Sequence, residues 1–220
     1  MKLLLTSAGI KNESIREALI EMLGKPIAES DALCISTSSY ANPGGPQRAF
    51  EFYNGQGETP MVELGWKSVG VLELTALPSV GEDIWLPWLE AADVLLVNGG
   101  DPLYLNYWMK QSGLARHLPS LDIVYVGLSA GSMVMTPRIG EFFVGWTPPE
   151  DTADKTLGLV DFSIFPHLEH EMLPHNTLAN AEKWAADLAA EAYAIDDETA
   201  IQVIDGEVRV VSEGEWKHFS

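Results

Sequence analysis

Gly127-Leu128-Ser129-Ala130-Gly131 stands between a β-branched, aromatic run, Val124-Tyr125-Val126, and an apolar stretch, Met133-Val134-Met135, that Pro137 stops. That order predicts a strand, a sharp turn and a short helix, with a serine at the apex. Such a turn brings the residues two before and two after the serine together, so both must lack bulk, and both are glycine. Few folds have room for it. The strand must deliver the hydroxyl to the mouth of a sheet, and the helix behind it offers free N–H groups and a positive dipole end to charge developing on a substrate oxygen. A glycine-flanked serine is also a good helix cap, but with a strand before and a helix after it Ser129 is the candidate nucleophile.

The rest of the chain agrees with that sheet. Lys2–Thr6, Leu33–Thr37, Ser68–Leu74, Val94–Asn98 and Ile123–Val126 are apolar runs of strand length. Between them lie the amphipathic segments Ser14–Leu23, Ile84–Ala91 and Leu103–Gln111, the last just after a proline at a helix start. Such alternation predicts βαβ units and an α/β fold: a three-layer, mainly parallel, doubly wound sheet with active groups beyond its carboxyl edge. Ala192–Ile195, Ala200–Ile204, Glu207–Val211 and Glu215–Phe219, with the Asp205-Gly206 turn, predict a short antiparallel C-terminal extension. Ser38 to Pro60, punctuated by Asn42-Pro43-Gly44-Gly45-Pro46 and Asn54-Gly55-Gln56-Gly57, reads as a loop, as does Trp146 to Lys155; either is a candidate cover for the serine. With no repeat and no linker, one domain over residues 1–220 is expected.

Composition excludes several partners. Thirteen basic against 32 acidic residues give a net charge of -19, which opposes binding to nucleic acid or an anionic membrane. No apolar run approaches the roughly 20 residues of a membrane span, and Leu3-Leu4-Leu5 leads into a charged helix rather than a signal-peptide core. The single Cys34, inside the apolar run Ala32–Ile35, excludes an internal disulfide framework or a cysteine-rich metal site. A reducing, cytoplasmic location is the expectation.

A second strand-to-helix junction, Val94 to Pro102, ends in Asn98-Gly99-Gly100-Asp101. It reads either as an ordinary βα turn or as the source of an N–H, from Gly99 or Gly100, that completes an oxyanion hole with Ala130. It is not a phosphate loop, because no lysine follows the glycines. For the base, His167 follows Asp161-Phe162-Ser163-Ile164-Phe165-Pro166, a strand ending in proline, which sets the imidazole at a strand end. His170 and His175 lie in a polar segment with Glu169 and Glu171, and His117 and His218 have no such setting. His170-Glu171-Met172-Leu173-Pro174-His175 has one residue too many between its histidines for a zinc-protease helix, and a proline inside. Neither a metal nor an organic cofactor is expected.

The Asn98–Asp101 turn, the Gly127–Gly131 elbow and the Phe165-Pro166-His167 strand end occur in an order that resembles the S51 serine peptidases, which include peptidase E (aspartyl dipeptidase) and, more distantly, cyanophycinase, within the class I glutamine amidotransferase-like fold. The likeness runs from the first strand to the Asp205-Gly206 turn. It implies Ser129 as nucleophile, His167 as general base, and an acidic third member within Ile195–Ile201. Register favours Asp197, with Glu198 second and Asp196 suited to capping a turn. Serine where true glutamine amidotransferases use cysteine turns the reading away from amidotransfer. The resemblance implies a monomer or homodimer hydrolysing small peptides or amides through an acyl-enzyme, with dipeptides beginning in aspartate as the peptidase E substrates. Binding that carboxylate inside so acidic a protein needs a local cation, and Arg138, just beyond the elbow helix, is the nearest in sequence, followed by Arg48. Two other readings stay open: an α/β-hydrolase-like esterase using Ser129, Asp197 and His218 in that order, and a non-catalytic protein that binds a small ligand in the same pocket.

Overall fold

Residues 1–149 and 153–220 are described by the computed structural model. In chain order they form β1 (Lys2–Thr6), α1 (Glu13–Leu23), β2 (Asp31–Ile35), α2 (Gly45–Tyr53), β3 (Ser68–Val71) and α3 (Glu82–Glu90). Next come β4 (Val94–Val97), α4 (Pro102–Gln111), α5 (Leu114–His117), β5 (Val124–Leu128) and α6 (Ala130–Met133). The last third holds β6 (Ser163–Phe165), α7 (Leu178–Leu188), β7 (Ala192–Ile195), β8 (Thr199–Ile204), β9 (Glu207–Ser212) and β10 (Trp216–Phe219).

The main sheet has the order β3-β2-β4-β5-β1-β8-β9. Its first five strands are parallel, and β8 and β9 continue it antiparallel. Strand alternation builds the layers. On β1, Leu4 joins Ile15, Leu19 and Met22 of α1 in one apolar cluster, whereas Leu3 and Leu5 face Trp85 and Leu89 of α3 and Leu105 and Met109 of α4 in another. Both faces are thus covered by helices, which is why the central strands β4 and β5 are buried at every position rather than at every second one. The α/β, three-layer, mainly parallel fold is as the sequence predicts. Among the described residues no helix is long and apolar enough to cross a membrane.

One expectation needs correction. Ser38–Pro60 is not a loop throughout: a 3-10 turn at Thr37–Ala41 leads into α2, where Pro46 sits in the first helical turn and Ala49 and Phe52, three apart, bury one face. The expected antiparallel C-terminal extension is present, and its strands are divided between two sheets. β8 and β9 pair through Asp205 and Gly206, both at positive φ (52° and 84°) as a two-residue hairpin requires, and they extend the main sheet. β7 and β10 leave it for a second sheet of order β10-β7-β6, in which β6 and β7 are parallel. β6 leads directly into His167 and β7 into Asp197, and these two side chains meet at 2.7 Å. The Trp146–Lys155 segment lies partly outside the described residues; its start is tied to α4, with Trp146 donating its N–H to Asp101 Oδ2 (2.7 Å) and packing its ring on Tyr104 and Tyr107.

Candidate active site

Ser129 follows β5 with φ 49° and ψ −110°, backbone that costs a non-glycine residue about 1–3 kcal/mol. The surroundings impose it. Ser129 N–H donates to Thr6 O (3.0 Å), Ser132 Oγ donates to the same oxygen (2.7 Å), and Tyr125 OH donates to Gly131 O (2.6 Å). A Cβ at Gly127 would lie 2.6 Å from the Gly131 carbonyl carbon, and one at Gly131 would collide with Val97 O. Both glycines are therefore steric requirements of the turn, as the sequence suggests. The Ser129 hydroxyl makes no hydrogen bond to the described residues, and it lines a cleft of about 1010 Å³ that His167 also lines.

The Asn98–Gly100 turn abuts the elbow. A Cβ on Gly99 would lie 2.8 Å from Leu128 Cδ2 and 3.4 Å from Ser129 Cβ, and one on Gly100, at φ 142°, would collide with the Ser38 backbone. Ser38 Oγ lies within donor reach of both Gly99 O (2.7 Å) and Asn98 O (3.0 Å), and its one proton ties the turn to the segment after β2. Gly99 N–H is already donated to Asn98 Oδ1 (2.8 Å). Among the described residues, the amides of Gly100 and Ala130 donate to no group. Of the two glycines, Gly100 is the one with an uncommitted donor.

His167 comes from the end of β6 and also has positive φ (56°). Its Nδ1 lies 2.7 Å from Asp197 Oδ1, and Asp197 occupies the turn between β7 and β8. Burial pushes the Asp197 carboxyl up, but the hydrogen bond and charge of His167, the Ser7 hydroxyl and the charge of His170 outweigh it, so the group is held below its ordinary value. An ionised carboxylate only accepts, so Nδ1 is the ring nitrogen that donates to Asp197, and Nε2 is the one left free of it. The neighbouring acids are committed elsewhere. Asp196 Oδ1 accepts from Glu198 N–H (3.1 Å) and Thr199 Oγ (2.6 Å), capping its own turn, and Glu198 Oε2 accepts from Asn12 Nδ2 (3.0 Å).

The other expected residues separate cleanly. Arg138 is not at the cleft: its Nε donates to both carboxylate oxygens of buried Asp154 (3.0 Å each), and it lines a different cavity, of about 640 Å³, beside Lys183 and Trp184. Arg48, exposed on α2, is the one Lys or Arg among the described residues lining the serine's cleft, and it forms no ion pair with them. His218 sits on β10, stacked on Tyr193 at 4.6 Å and 3.1 Å from Glu191, and His117 lies 2.8 Å from Glu82; neither lines the cleft. His175 lines it but is exposed, and the His170–His175 segment is a series of turns rather than a helix. Among the described residues no three His, Cys, Asp or Glu side chains converge as metal ligands. Cys34 is fully buried and does not line the cleft, and burial pushes its thiol up to about 12.

One residue, Ser7, went unnoticed in the sequence, and His170, read there only as part of a polar segment, also reaches Asp197. Ser7 Oγ accepts the His167 main-chain N–H (2.7 Å) and donates to Asp197 Oδ1 (3.0 Å), and His170 Nε2 lies 3.5 Å from Asp197 Oδ2. Only the position of Ser7 directly after a parallel strand hinted at it.

The family model of peptidase family S51 matches residues 3–211. No curated protein matches the chain in sequence. Among solved structures, the chain is similar to a candidate peptidase E protein from Listeria monocytogenes EGD-e, with TM-score 0.65 and 20% identity over 97% of this chain and 98% of that one. It is also similar to a peptidase from an acI-B1 Actinobacterium, with TM-score 0.63 and 17% identity over 100% of this chain and 93% of that one. At these identities the two structures show a shared fold.

Proposed function

The chain belongs to peptidase family S51, and from that premise we propose that it is a serine hydrolase of short peptides or small amides, with Ser129 as nucleophile, His167 as general base and Asp197 as the residue that orients the base. The observation that carries the reading is the 2.7 Å contact between His167 Nδ1 and Asp197 Oδ1, made at the cleft into which the strained Ser129 turn opens.

His167 Nε2 takes the Ser129 proton as the hydroxyl oxygen attacks the substrate carbonyl. The resulting oxyanion is stabilised by the amides of Ala130 and Gly100, with the committed amide of Gly99 left out. The imidazolium then protonates the leaving amine as the C–N bond breaks, and water, deprotonated by the same ring, releases the acyl group and restores Ser129. A cleft of about 1010 Å³ suits a short peptide rather than a folded chain. Arg48 replaces Arg138 as the cation for a substrate carboxylate, because a positive charge at the cleft offsets the unfavourable field of a protein of net charge -19.

The esterase reading loses its base, since His218 is engaged with Glu191 and Tyr193. A non-catalytic ligand-binding protein is distinguished by fluorophosphonate labelling, which requires an activated serine. The decisive assay is a dipeptide screen varying the N-terminal residue, read as kcat/KM for Asp-Leu against Ala-Leu. No cleavage of any dipeptide, together with no labelling of Ser129, would refute the proposal.

A further inference from the structure

Resting on the Ser129–His167–Asp197 reading, we propose that Ser7 is a positioning residue that sets the geometry of the His167–Asp197 pair from the end of β1. Ser7 is fully buried and does not line the cleft, so it acts through its neighbours rather than on a substrate.

The need for such a residue follows from the topology. Ser129 is delivered by β5 of the main sheet, whereas His167 is delivered by β6 of the second sheet, and Asp197 lies in the turn that leads from β7 of the second sheet to β8 of the main one. Nothing in strand pairing alone aligns groups borne by two different sheets. The end of β1 bonds to all three. Thr6 O accepts the Ser129 N–H (3.0 Å), and the next residue, Ser7, accepts the His167 N–H at its Oγ (2.7 Å) and donates its own hydroxyl proton to Asp197 Oδ1 (3.0 Å). The Ser7 main-chain N–H donates to Thr199 O (3.4 Å), tying the Asp197 turn to the same point.

A hydroxyl suits this position because it donates one proton while accepting another. His167 stands in left-handed backbone, φ 56°, and its N–H donates to the Ser7 hydroxyl rather than to a main-chain carbonyl. With Ser7 in place, that amide has an acceptor. The same hydroxyl converges with His167 Nδ1 on one oxygen, Asp197 Oδ1, with 3.3 Å between Ser7 Oγ and Nδ1. One side chain therefore holds both the backbone of the base and the carboxylate that orients its ring.

The test is Ser7→Ala in the full chain, followed by Asp-Leu hydrolysis, the rate of fluorophosphonate labelling and the His167 Nδ1–H resonance. The expected result is kcat and labelling rate lower by about 10- to 100-fold, the scale of a lost hydrogen bond to a charged group, with KM nearly unchanged. The Nδ1–H resonance shifts or broadens. In an Asp197→Asn background the Ser7 change costs less than it does in the wild type, because the part of its effect that runs through the carboxylate is already lost and only its hold on the His167 N–H remains. Wild-type kcat, an unmoved resonance, or a full additional loss on top of Asp197→Asn would each overturn the proposal. Should Ser7→Ala fail to fold, Ser7→Cys, which keeps the side-chain shape with a somewhat larger atom and offers only a weak donor, carries the same readouts. If the wild-type protein neither cleaves dipeptides nor takes the label, the functional reading falls, and the resonance in the Ser7 variants still decides the role of Ser7.

Discussion

Replacing Asp197 with asparagine keeps the size of the side chain and removes its charge. In the proposed reaction an imidazolium forms on His167 when it takes the Ser129 proton, and the carboxylate 2.7 Å from Nδ1 stabilises that cation. The side chains of His167 and Asp197 are 19% and 23% exposed, so an intermediate effective dielectric applies rather than that of a dry interior. At an effective dielectric near 20, unit charges about 4 Å apart attract by about 4 kcal/mol, which corresponds to roughly three decades in rate. The amide can also turn its NH₂ toward the ring and favour the wrong tautomer, which adds to the loss. Asp197→Asn should therefore lower kcat on the best dipeptide by about 1,000-fold or more, with KM little changed. Stability carries a second signature. The folded-state pKa of Asp197 is depressed, so its contribution is complete above the unfolded carboxylate value, about 3.9, and is lost as pH falls through the folded value. Thermal melts of wild type and variant should differ at neutral pH and converge under acid. A kcat within tenfold of wild type, with a large loss instead in Glu198→Gln, would refute the assignment and shift the acidic register by one.

Ser129→Ala should abolish hydrolysis and labelling while the fold persists; Ser129→Gly should be as inactive yet more stable than the alanine variant by about 1 kcal/mol, because glycine adopts φ 49° without strain. Labelling that survives Ser129→Ala would put the nucleophile elsewhere. His167→Ala should cost several orders of magnitude in rate, and His218→Ala, which loses a partly exposed contact to Glu191, should leave the rate near wild type; the reverse ranking would return the α/β-hydrolase order. Arg48→Ala should reduce the preference for Asp-Leu over Ala-Leu by about tenfold or more. Arg138→Ala should leave that preference alone and lower stability by about 1–2 kcal/mol, since it strips buried Asp154 of its ion pair. An unchanged preference in Arg48→Ala would remove Arg48 from substrate binding.

The amino-acid sequence by itself determined what is local. Strand-length apolar runs alternating with amphipathic segments specify the parallel sheet and its helical layers, and the two glycines flanking Ser129 are legible because the turn has no space for a Cβ at either position. The choice among Asp196, Asp197 and Glu198 came from the resemblance to the S51 peptidases and not from the residues themselves; in the folded chain Asp197 lies 2.7 Å from His167 Nδ1, while Asp196 and Glu198 bond elsewhere. Other features depended on which distant segments meet. Arg138 lies nine positions from Ser129 but beyond a four-residue helix, after which the chain turns away to pair with Asp154, while Arg48, far off in sequence, lines the cleft from α2. Pro46 and Gly44 looked like loop punctuation because a helix start uses the same residues as a turn. The division of the tail strands between two sheets, and with it the place of Ser7 between His167 and Asp197, was decided by tertiary packing alone. Pairing partners far apart in sequence leave no periodic trace in either strand, so only the folded chain brings the end of β1 to the ends of β6 and β7.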